Sequence, residues 1–316
     1  MGSTYVSAKK GELTTQQMVM LIVVIASFSI LLFFLFRLNL GEESKSEICR
    51  NSVVLSGRSG LPTGSLACYR SYKCITADGD CKGLTNPEII KVKTENDIHE
   101  ALAKEMTDCW WMFGEGRINY VSSIGLTRNN YCSICSQIEL DSSLSDIKGI
   151  EGSVSKDKLY QYLADNKMPN REITYLEYLL NTKNIDSIKQ ESFKKTGVNK
   201  FGDLQLGDQF FVVMGITSEI GSTYEWVGGA IAGLAVVSLF IPGVNIITSV
   251  LILGTGAAVS LGGETAAGTF DPNKGNIGAL IVKGKGVKNK FMSPTIIEIN
   301  PEKFKALNCE EVITLS

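Results

Sequence analysis

The feature that most constrains this chain is a run of nineteen residues without a charge, from Met18 to Phe36. Fourteen of them are Leu, Ile, Val or Phe. A helix of that length measures about 28 Å, close to the thickness of the hydrocarbon layer of a bilayer. A helix in the core of a soluble protein normally keeps a polar stripe, and this run has none. The sequence therefore predicts a transmembrane helix over residues 18–38.

The residues on either side of this run indicate how the N-terminus is processed. No small-residue cleavage site follows Phe36, so a cleaved secretory signal is not predicted. Lys9, Lys10 and Gly11 precede the run, and together with it they resemble the class III signal peptides of archaeal pilin-like proteins. The resemblance implies that a peptidase cuts after Gly11 and leaves the helix on the mature protein. The alternative is an uncleaved signal anchor.

The cysteines determine where the rest of the chain is expected. They all follow the apolar run, and they are Cys49, Cys68, Cys74, Cys81, Cys109, Cys132, Cys135 and Cys309. An even set on one side of a membrane helix is typical of disulfides in an oxidising compartment. Because the charges that flank the helix are balanced, the cysteines set the orientation. We expect the N-terminus in the cytoplasm and the main domain outside.

The motif CxxC occurs once, at Cys132 and Cys135, and could support thiol exchange. The residues that follow alternate like a strand rather than a helix. A strand would put Cys132 on the face of Ile134, Ile138 and Leu140 and Cys135 on the opposite face, so the two would not bond to each other. Thiol exchange is the one enzymatic activity that stays open, and we expect a non-enzymatic protein without a cofactor.

Other ligand-binding and catalytic patterns are weak. Zinc binding by Cys68, Cys74, Cys81 and Cys109 stays an alternative, although these residues are spaced more widely than most structural zinc ligands. We expect the single histidine, His99, to be solvated or to cap a helix, and Asp78-Gly79-Asp80 to form a turn rather than a calcium site. The nearly equal numbers of basic and acidic residues, 31 and 33, argue against a nucleic-acid partner.

The polar part of the chain has the local patterns of an α+β domain. The clearest helix starts at Asp97, which can cap it, and extends to Phe113 with Trp110 as a packing anchor. Thr174 and Glu177 predict a capping box at the start of another helix. The remaining predictions are helices over 156–166, 175–180 and 185–195 and strands over 52–56, 88–93, 117–123, 209–217, 277–283 and 295–299.

A short segment around the clearest helix resembles known sequences. The run from Asp108 to Gly116, DCWWMFGEG, is followed by the CxxC motif. This combination is similar to a pattern in uncharacterised membrane-tethered proteins of DPANN archaea. The resemblance implies a surface protein of unknown role and carries no assigned active site.

A second uncharged stretch extends from Trp226 to Gly263. Pro242 and Gly243 divide it, and small residues recur at four-residue spacing, which predicts an inserted hairpin of two closely packed helices. A hairpin returns the chain to its starting side and keeps all eight cysteines together. It would either enter the bilayer or pack on the soluble body or in a homo-oligomer. The lysines that follow, from Lys283 to Lys290, would instead favour a cytoplasmic C-terminus.

Together these features predict a membrane anchor joined to one disulfide-stabilised mixed α/β ectodomain. The expected parts are a leader (1–17), the transmembrane helix (18–38), the cysteine-containing ectodomain (41–224), the apolar helical hairpin (225–263) and strands that complete the ectodomain (264–316). The expected function is that of an extracytoplasmic surface protein with a binding, adhesion or envelope-structural role. Its expected partners are the lipid bilayer and a cell-surface or envelope protein. The alternatives are a membrane-inserting or pore-forming protein that uses residues 226–263 and a pilin-like filament subunit.

Overall fold

The computed structural model describes residues 15–37, 40–59, 66–121, 130–217, 234–239, 248–253, 276–300, 307, 309 and 311–314. The chain divides into two compact units, Met1–Lys45 and Ser46–Ser316. The predicted processing residues Lys9, Lys10 and Gly11 lie outside the described residues. The second unit is called the body below.

The first unit contains the apolar helix α1 (Thr15–Arg37). Within the described part of the chain it is the one helix that is long and apolar enough to cross a membrane. The side chains of residues 15–33 are exposed over their whole length. An exposed surface made of Leu, Ile, Val and Phe is unfavourable in water and favourable in a hydrocarbon layer. A helix at the predicted position is therefore confirmed.

The body combines helices with a central sheet, as predicted for an α+β fold. Its helices are α2 (Leu40–Ser59), which begins in the first unit, α3 (Glu95–Met112), α4 (Lys156–Asp165), α5 (Tyr175–Leu180) and α6 (Ile185–Thr196). Its strands are β1 (Ser71–Thr76), β2 (Glu88–Lys91), β3 (Asn130–Leu140), β4 (Ser153–Ser155), β5 (Asp203–Gln205), β6 (Gln209–Thr217), β7 (Leu234–Leu239), β8 (Thr248–Leu253), β9 (Asn276–Lys283), β10 (Lys290–Glu298) and β11 (Glu311–Val312).

Nine of the described strands form one mixed sheet in the order β2-β1-β3-β6-β10-β9-β8-β7, with β11 paired to β3. Strand β1 pairs parallel with β2 and β3, whereas the ladder from β3 to β7 is antiparallel. The short strands β4 and β5 form a separate pair. The central strands β3 and β6 are buried almost throughout because both faces of the sheet are covered.

The larger core cluster lies where α3, α4 and α5 pack against one another and α3 and α5 contact the sheet. The stripe of α3 contributes Ile98, Leu102 and Met106, which are all fully buried. Trp110 is buried too, and its ring meets the ring of Phe291 edge-on at 5.9 Å. The predicted packing role of Trp110 is confirmed.

The predicted hairpin of two helices is wrong in the residues that the structure describes. Residues 234–239 and 248–253 are strands β7 and β8, paired antiparallel from Leu234 opposite Leu253 to Leu239 opposite Thr248. Pro242 and Gly243, which divide the predicted hairpin, lie outside the described residues. Both strands are rich in β-branched residues, and the edge of β9 offers β8 a row of backbone partners.

Three other local predictions also need correction. Residues 52–56 lie in α2 rather than in a strand, since Cys49, Val53 and Ser56 follow helical spacing and are buried together. Of the strand predicted over 117–123, residues 117–121 form no regular element, and residues 122 and 123 lie outside the described residues. Helix α3 is capped by Thr94 rather than by Asp97, and Asp97 completes the capping box from the third helical position.

The other helices follow the sequence closely. The structure confirms α4, α5 and α6 within one or two residues of their predicted bounds. Thr174 caps α5 by accepting a hydrogen bond from the backbone N–H of Glu177. These helices are short and polar on one side, so local spacing and caps determine where they begin and end.

Candidate functional site

Four disulfides include all eight cysteines of the chain. The pairs are Cys49–Cys68, Cys74–Cys81, Cys109–Cys135 and Cys132–Cys309. They join α2 to the segment before β1, β1 to the loop after it, α3 to β3, and β3 to the C-terminal segment. The predicted disulfides are confirmed. The four cysteines of the zinc alternative belong to three different disulfides, so that alternative is wrong.

The CxxC motif lies in strand β3, and its two cysteines point to opposite faces of the sheet. Cys135 belongs to the larger core cluster, whereas Cys132 belongs to a smaller cluster on the other side. The two bond to different partners, as the strand pattern predicts. The predicted face of Ile138 and Leu140 is wrong, because an irregularity in the pairing of β3 with β6 between Ile134 and Ser136 shifts the alternation. Ile138 and Leu140 therefore share the face of Cys135.

His99 lies inside the body rather than in solvent or at a helix end. It is 3% exposed, and its ring centre lies 5.9 Å from that of Tyr162. Burial lowers the pKa of His99, and Lys158 lowers it further, whereas Glu95 raises it. The neutral imidazole is thus favoured, and the prediction of a solvated or capping histidine is wrong.

The Asp-Gly-Asp segment forms the turn that the sequence predicts. The side chain of Asp78 accepts hydrogen bonds from the hydroxyl of Thr76, at 2.8 Å, and from the backbone N–H of Asp80, at 2.9 Å. Gly79 has a φ of 103°, which glycine adopts readily. The hydrogen bonds keep the pKa of Asp78 below its ordinary value, the one from Asp80 most of all.

A buried carboxylate on α3 is a feature that the sequence reasoning missed. The Oε1 atom of Glu105 lies 3.9 Å from Nζ of Lys73, which also pairs with Glu88. Burial raises the pKa of Glu105 to about 7, whereas Lys73 lowers it and Asp108 raises it. Glu105 stands three residues after Leu102 and four before Cys109, so it lies within the apolar stripe of α3. A charged residue at such a position is the sequence signal for a buried carboxylate.

The turn after α3 contains three consecutive residues with a left-handed backbone. They are Gly114, Glu115 and Gly116, with φ of 80°, 58° and 71°. The side chain of Trp110 packs against Gly116, where a Cβ atom would lie 3.0 Å from the indole. A residue other than glycine therefore fits poorly at Gly116. The turn directs the carboxylate of Glu115 towards α2 and α5.

Glu115 is the centre of a cluster of charged and aromatic side chains. The hydroxyl of Tyr178 donates a 2.7 Å hydrogen bond to its Oε1 atom. Arg50 and Arg171 lie 3.7 Å and 3.8 Å from its carboxylate oxygens. The two guanidinium groups also stack on aromatic rings, Arg50 on Trp111 at 4.5 Å and Arg171 on Tyr178 at 4.8 Å. Burial, and then Glu115, raise the pKa of Tyr178 well above its usual range.

The loop between β9 and β10 lies beside this cluster and has the sequence KGKGVKNK from Lys283 to Lys290. The backbone N–H of Lys285 donates a 2.8 Å hydrogen bond to the carbonyl of Gly116, which joins the loop to the turn after α3. Asn181 and residues 283–288 line an open depression of about 760 Å³, called the basic depression below. A narrower cleft beside it reaches Trp110 and Val282.

The basic depression carries an excess of positive charge. Among the described residues, no carboxylate lies within 4 Å of the ammonium groups of Lys283, Lys285 and Lys288. Partial burial lowers the pKa of Lys285, and the nearby Arg117 lowers it further, whereas the carboxylates of Glu115 and Glu177 raise it by a smaller amount. In the sequence these lysines indicate only a possible cytoplasmic C-terminus, because the depression that they line also includes Asn181, about a hundred residues earlier in the chain.

Comparison with protein families, with curated proteins and with solved structures finds no match for this chain. Its function is therefore inferred from the chemistry of its own residues. The described part of the body offers two arrangements for that purpose. One is the disulfide framework, and the other is the basic depression with the neighbouring Glu115 cluster.

Proposed function

We propose that this chain is a membrane-anchored protein whose body lies outside the cytoplasm and binds a partner at the cell surface. The observation that carries the proposal is that all eight cysteines follow the exposed apolar helix and are paired with one another. Disulfides persist in oxidising compartments and are rare in the cytosol. A body stabilised by four of them fits the exterior.

The helix α1 supplies the anchor in this proposal. Each Leu, Ile, Val or Phe at the centre of a bilayer favours insertion by about 0.3 to 0.6 kcal/mol, so the run favours insertion by several kcal/mol. The N-terminus is then cytoplasmic. The resemblance of residues 9–11 and their surroundings to class III signal peptides, and that of residues 108–116 to membrane-tethered archaeal proteins, agree with this arrangement.

The positions of the disulfides support a role in display and binding. Two of them hold β3 at the centre of the sheet, one from each face, through Cys135 and Cys132. Because both cysteines of the CxxC motif are bonded to distant partners, they provide stability rather than thiol exchange. A rigid body with a charged surface depression is suited to binding or adhesion.

The orientation can be tested on intact cells that express the full chain. Cells are treated with an amine-reactive biotin that does not cross membranes, and labelled lysines are mapped by mass spectrometry. We expect label on exposed body lysines such as Lys148 and Lys167, and none on a cytoplasmic marker protein. Body lysines that react only after the cells are lysed would contradict the proposal. Non-reducing peptide mapping of the same sample should recover the four disulfides.

A second candidate function is membrane insertion by residues 226–263. The observation that favours it is that β7 and β8 are uncharged strands at the end of the sheet, and among the described strands β7 pairs with β8 alone. Release of a dye from vesicles by the full chain, and its loss in Val237→Glu, would support insertion, because a charge on a lipid-facing strand is costly. Equal leakage from both proteins, or from neither, would contradict it.

A further inference from the structure

The backbone of the β9–β10 loop is fixed where it meets the turn after α3. A Cβ atom on Gly284 would lie 2.4 Å from the side chain of Val287 and 2.9 Å from the carbonyl oxygen of Asn289, so the chain passes too closely for another residue. The hydrogen bond from Lys285 to Gly116 attaches the loop to the body. The lysines of the β9–β10 loop therefore extend from a backbone that is held in one conformation.

The carboxylates nearest to these lysines are already paired with other cations. Glu115 is contacted by Arg50, Arg171 and the hydroxyl of Tyr178. Glu177 lies 3.4 Å from Lys183. The cations of the loop are thus left in excess, although the chain as a whole has a net charge of −2. A local surplus of this kind on a slightly acidic protein favours an anionic ligand.

We propose that the basic depression binds a phosphate group. Three lysines line this open depression. Their charges suit the charge and the several acceptor oxygens of a phosphate, for which lysine is a common point-charge partner. Asn181 lines the same depression, and an asparagine amide is a hydrogen-bond donor for phosphate oxygens. The phosphate site gives a ligand class to the proposed surface function. It rests on that function only for the compartment in which the ligand binds.

The phosphate can come from an anionic lipid headgroup or from a soluble phosphate. If α1 tethers the body to a bilayer, headgroups are the phosphates present at the highest effective concentration. Each lysine close to an anionic membrane surface contributes about 1 kcal/mol of attraction. A soluble ligand would use the same side chains, so the experiment has one arm for each source.

The test uses the purified full chain in a neutral detergent. One arm titrates inorganic phosphate against chloride at matched ionic strength, and the other compares the soluble lipids dihexanoyl phosphatidylglycerol and dihexanoyl phosphatidylcholine. Binding is read by calorimetry and by the rise of the unfolding temperature. We expect saturable binding of phosphate. Preference for phosphatidylglycerol assigns a headgroup, and phosphate binding without lipid binding assigns a soluble ligand.

Substitutions locate the site. Lys285→Gln and Lys288→Gln should each weaken binding about tenfold, as expected for the loss of one charge-assisted contact. Lys288 is exposed, so Lys288→Gln keeps the test valid even if Lys285→Gln disturbs the loop. The matched control is Lys148→Gln, which removes the same charge from an exposed turn next to Gly149, near Glu95 at the other end of α3.

Two outcomes would overturn the inference. One is the absence of saturable binding in both arms, and the other is an equal loss of affinity in Lys148→Gln, which would indicate attraction by total charge alone. The result is independent of the labelling experiment on cells. Phosphate binding by a body that proves to be cytoplasmic would keep the site and overturn the proposed location.

Discussion

At the scale of single residues, Glu115 adopts a left-handed backbone conformation that costs a non-glycine residue about 1 to 2 kcal/mol. Contacts of its carboxylate with Tyr178, Arg50 and Arg171 offset that cost. The surrounding glycines, Gly114 and Gly116, allow the turn to form. The residue thus connects α3 to α2 and α5 at the edge of the basic depression.

Tyr178→Phe tests this connection. The change removes the hydrogen bond to Glu115 and leaves a partly buried carboxylate with one partner fewer. We expect it to lower the free energy of unfolding by about 1 to 2 kcal/mol, measured by chemical denaturation with the disulfides intact. The control is Tyr69→Phe, which removes the same hydroxyl from an exposed residue and should change stability by less than about 0.5 kcal/mol. Equal effects of the two changes would show that the Glu115 contact is not stabilising.

The raised pKa of Glu105 predicts that the stability of the protein depends on pH. Its pKa in the folded protein is about 7, above the ordinary value of 4.5, so the folded state binds more protons than the unfolded state between these values. Its contribution to stability is therefore full below about pH 4.5 and is lost as the pH rises through about 7, by about 3 kcal/mol.

The measurement is chemical denaturation of the wild type and of Glu105→Gln between pH 4 and pH 8. Since glutamine does not titrate, we expect the variant to lose less stability than the wild type as the pH rises. Glu100→Gln, an exposed change on the same helix, should follow the wild type. A pH profile unchanged by Glu105→Gln would contradict the raised pKa. Lys73, Glu88 and Asp108, which act on Glu105, remain in all three proteins.

At the scale of elements, the two helix starts at Thr94 and Ser155 form a matched pair. Thr94 accepts a hydrogen bond from the backbone N–H of Asp97, whereas the side chain of Ser155 makes no capping hydrogen bond to α4. We expect Thr94→Ala to cost about 1 kcal/mol and Ser155→Ala only a few tenths of that. Thermal unfolding of both variants measures the difference, and a larger effect at Ser155 would show that the cap does not stabilise α3.

The elements also show how far the sequence determines this fold. Helices α3 to α6 were predicted because caps and apolar spacing are local signals. The strands β7 and β8 were mistaken for helices because their uncharged, glycine-rich surroundings resemble membrane helices, while the ladder to β9 is a non-local contact. The face of Ile138 was predicted wrongly for the same reason. The irregularity in β3 depends on its pairing with β6, which is also a non-local contact.

The candidate site was harder to predict than the fold. Arg50, Glu115, Arg171 and Lys285 come from four separate parts of the chain, and no spacing in the sequence links them. The disulfides were predictable as a set from the parity and position of the cysteines. Their pairing was not, because eight cysteines allow 105 arrangements and the sheet selects among them.

At the scale of the whole molecule, the disulfides close loops of very different length. Cys132 and Cys309 are separated by 177 residues, whereas Cys74 and Cys81 are separated by 7. If the bridges act by restricting the unfolded chain, removal of the long-range bridge by a double serine substitution should cost about 5 kcal/mol and removal of the short one about 2.5 kcal/mol. Thermal unfolding under non-reducing conditions compares the two variants. An equal loss would contradict the entropic account.

The Cys132–Cys309 bridge also imposes an order on how the protein matures. Cys109 and Cys135 are made close together and can join early, but Cys132 must wait for a partner 177 residues downstream. At ordinary synthesis rates of about 5 to 20 residues per second, that wait is roughly 10 to 35 s. A nascent body therefore keeps Cys132 without its native partner during this interval, so the bridge from β3 to Cys309 forms later than the Cys109–Cys135 bridge can form.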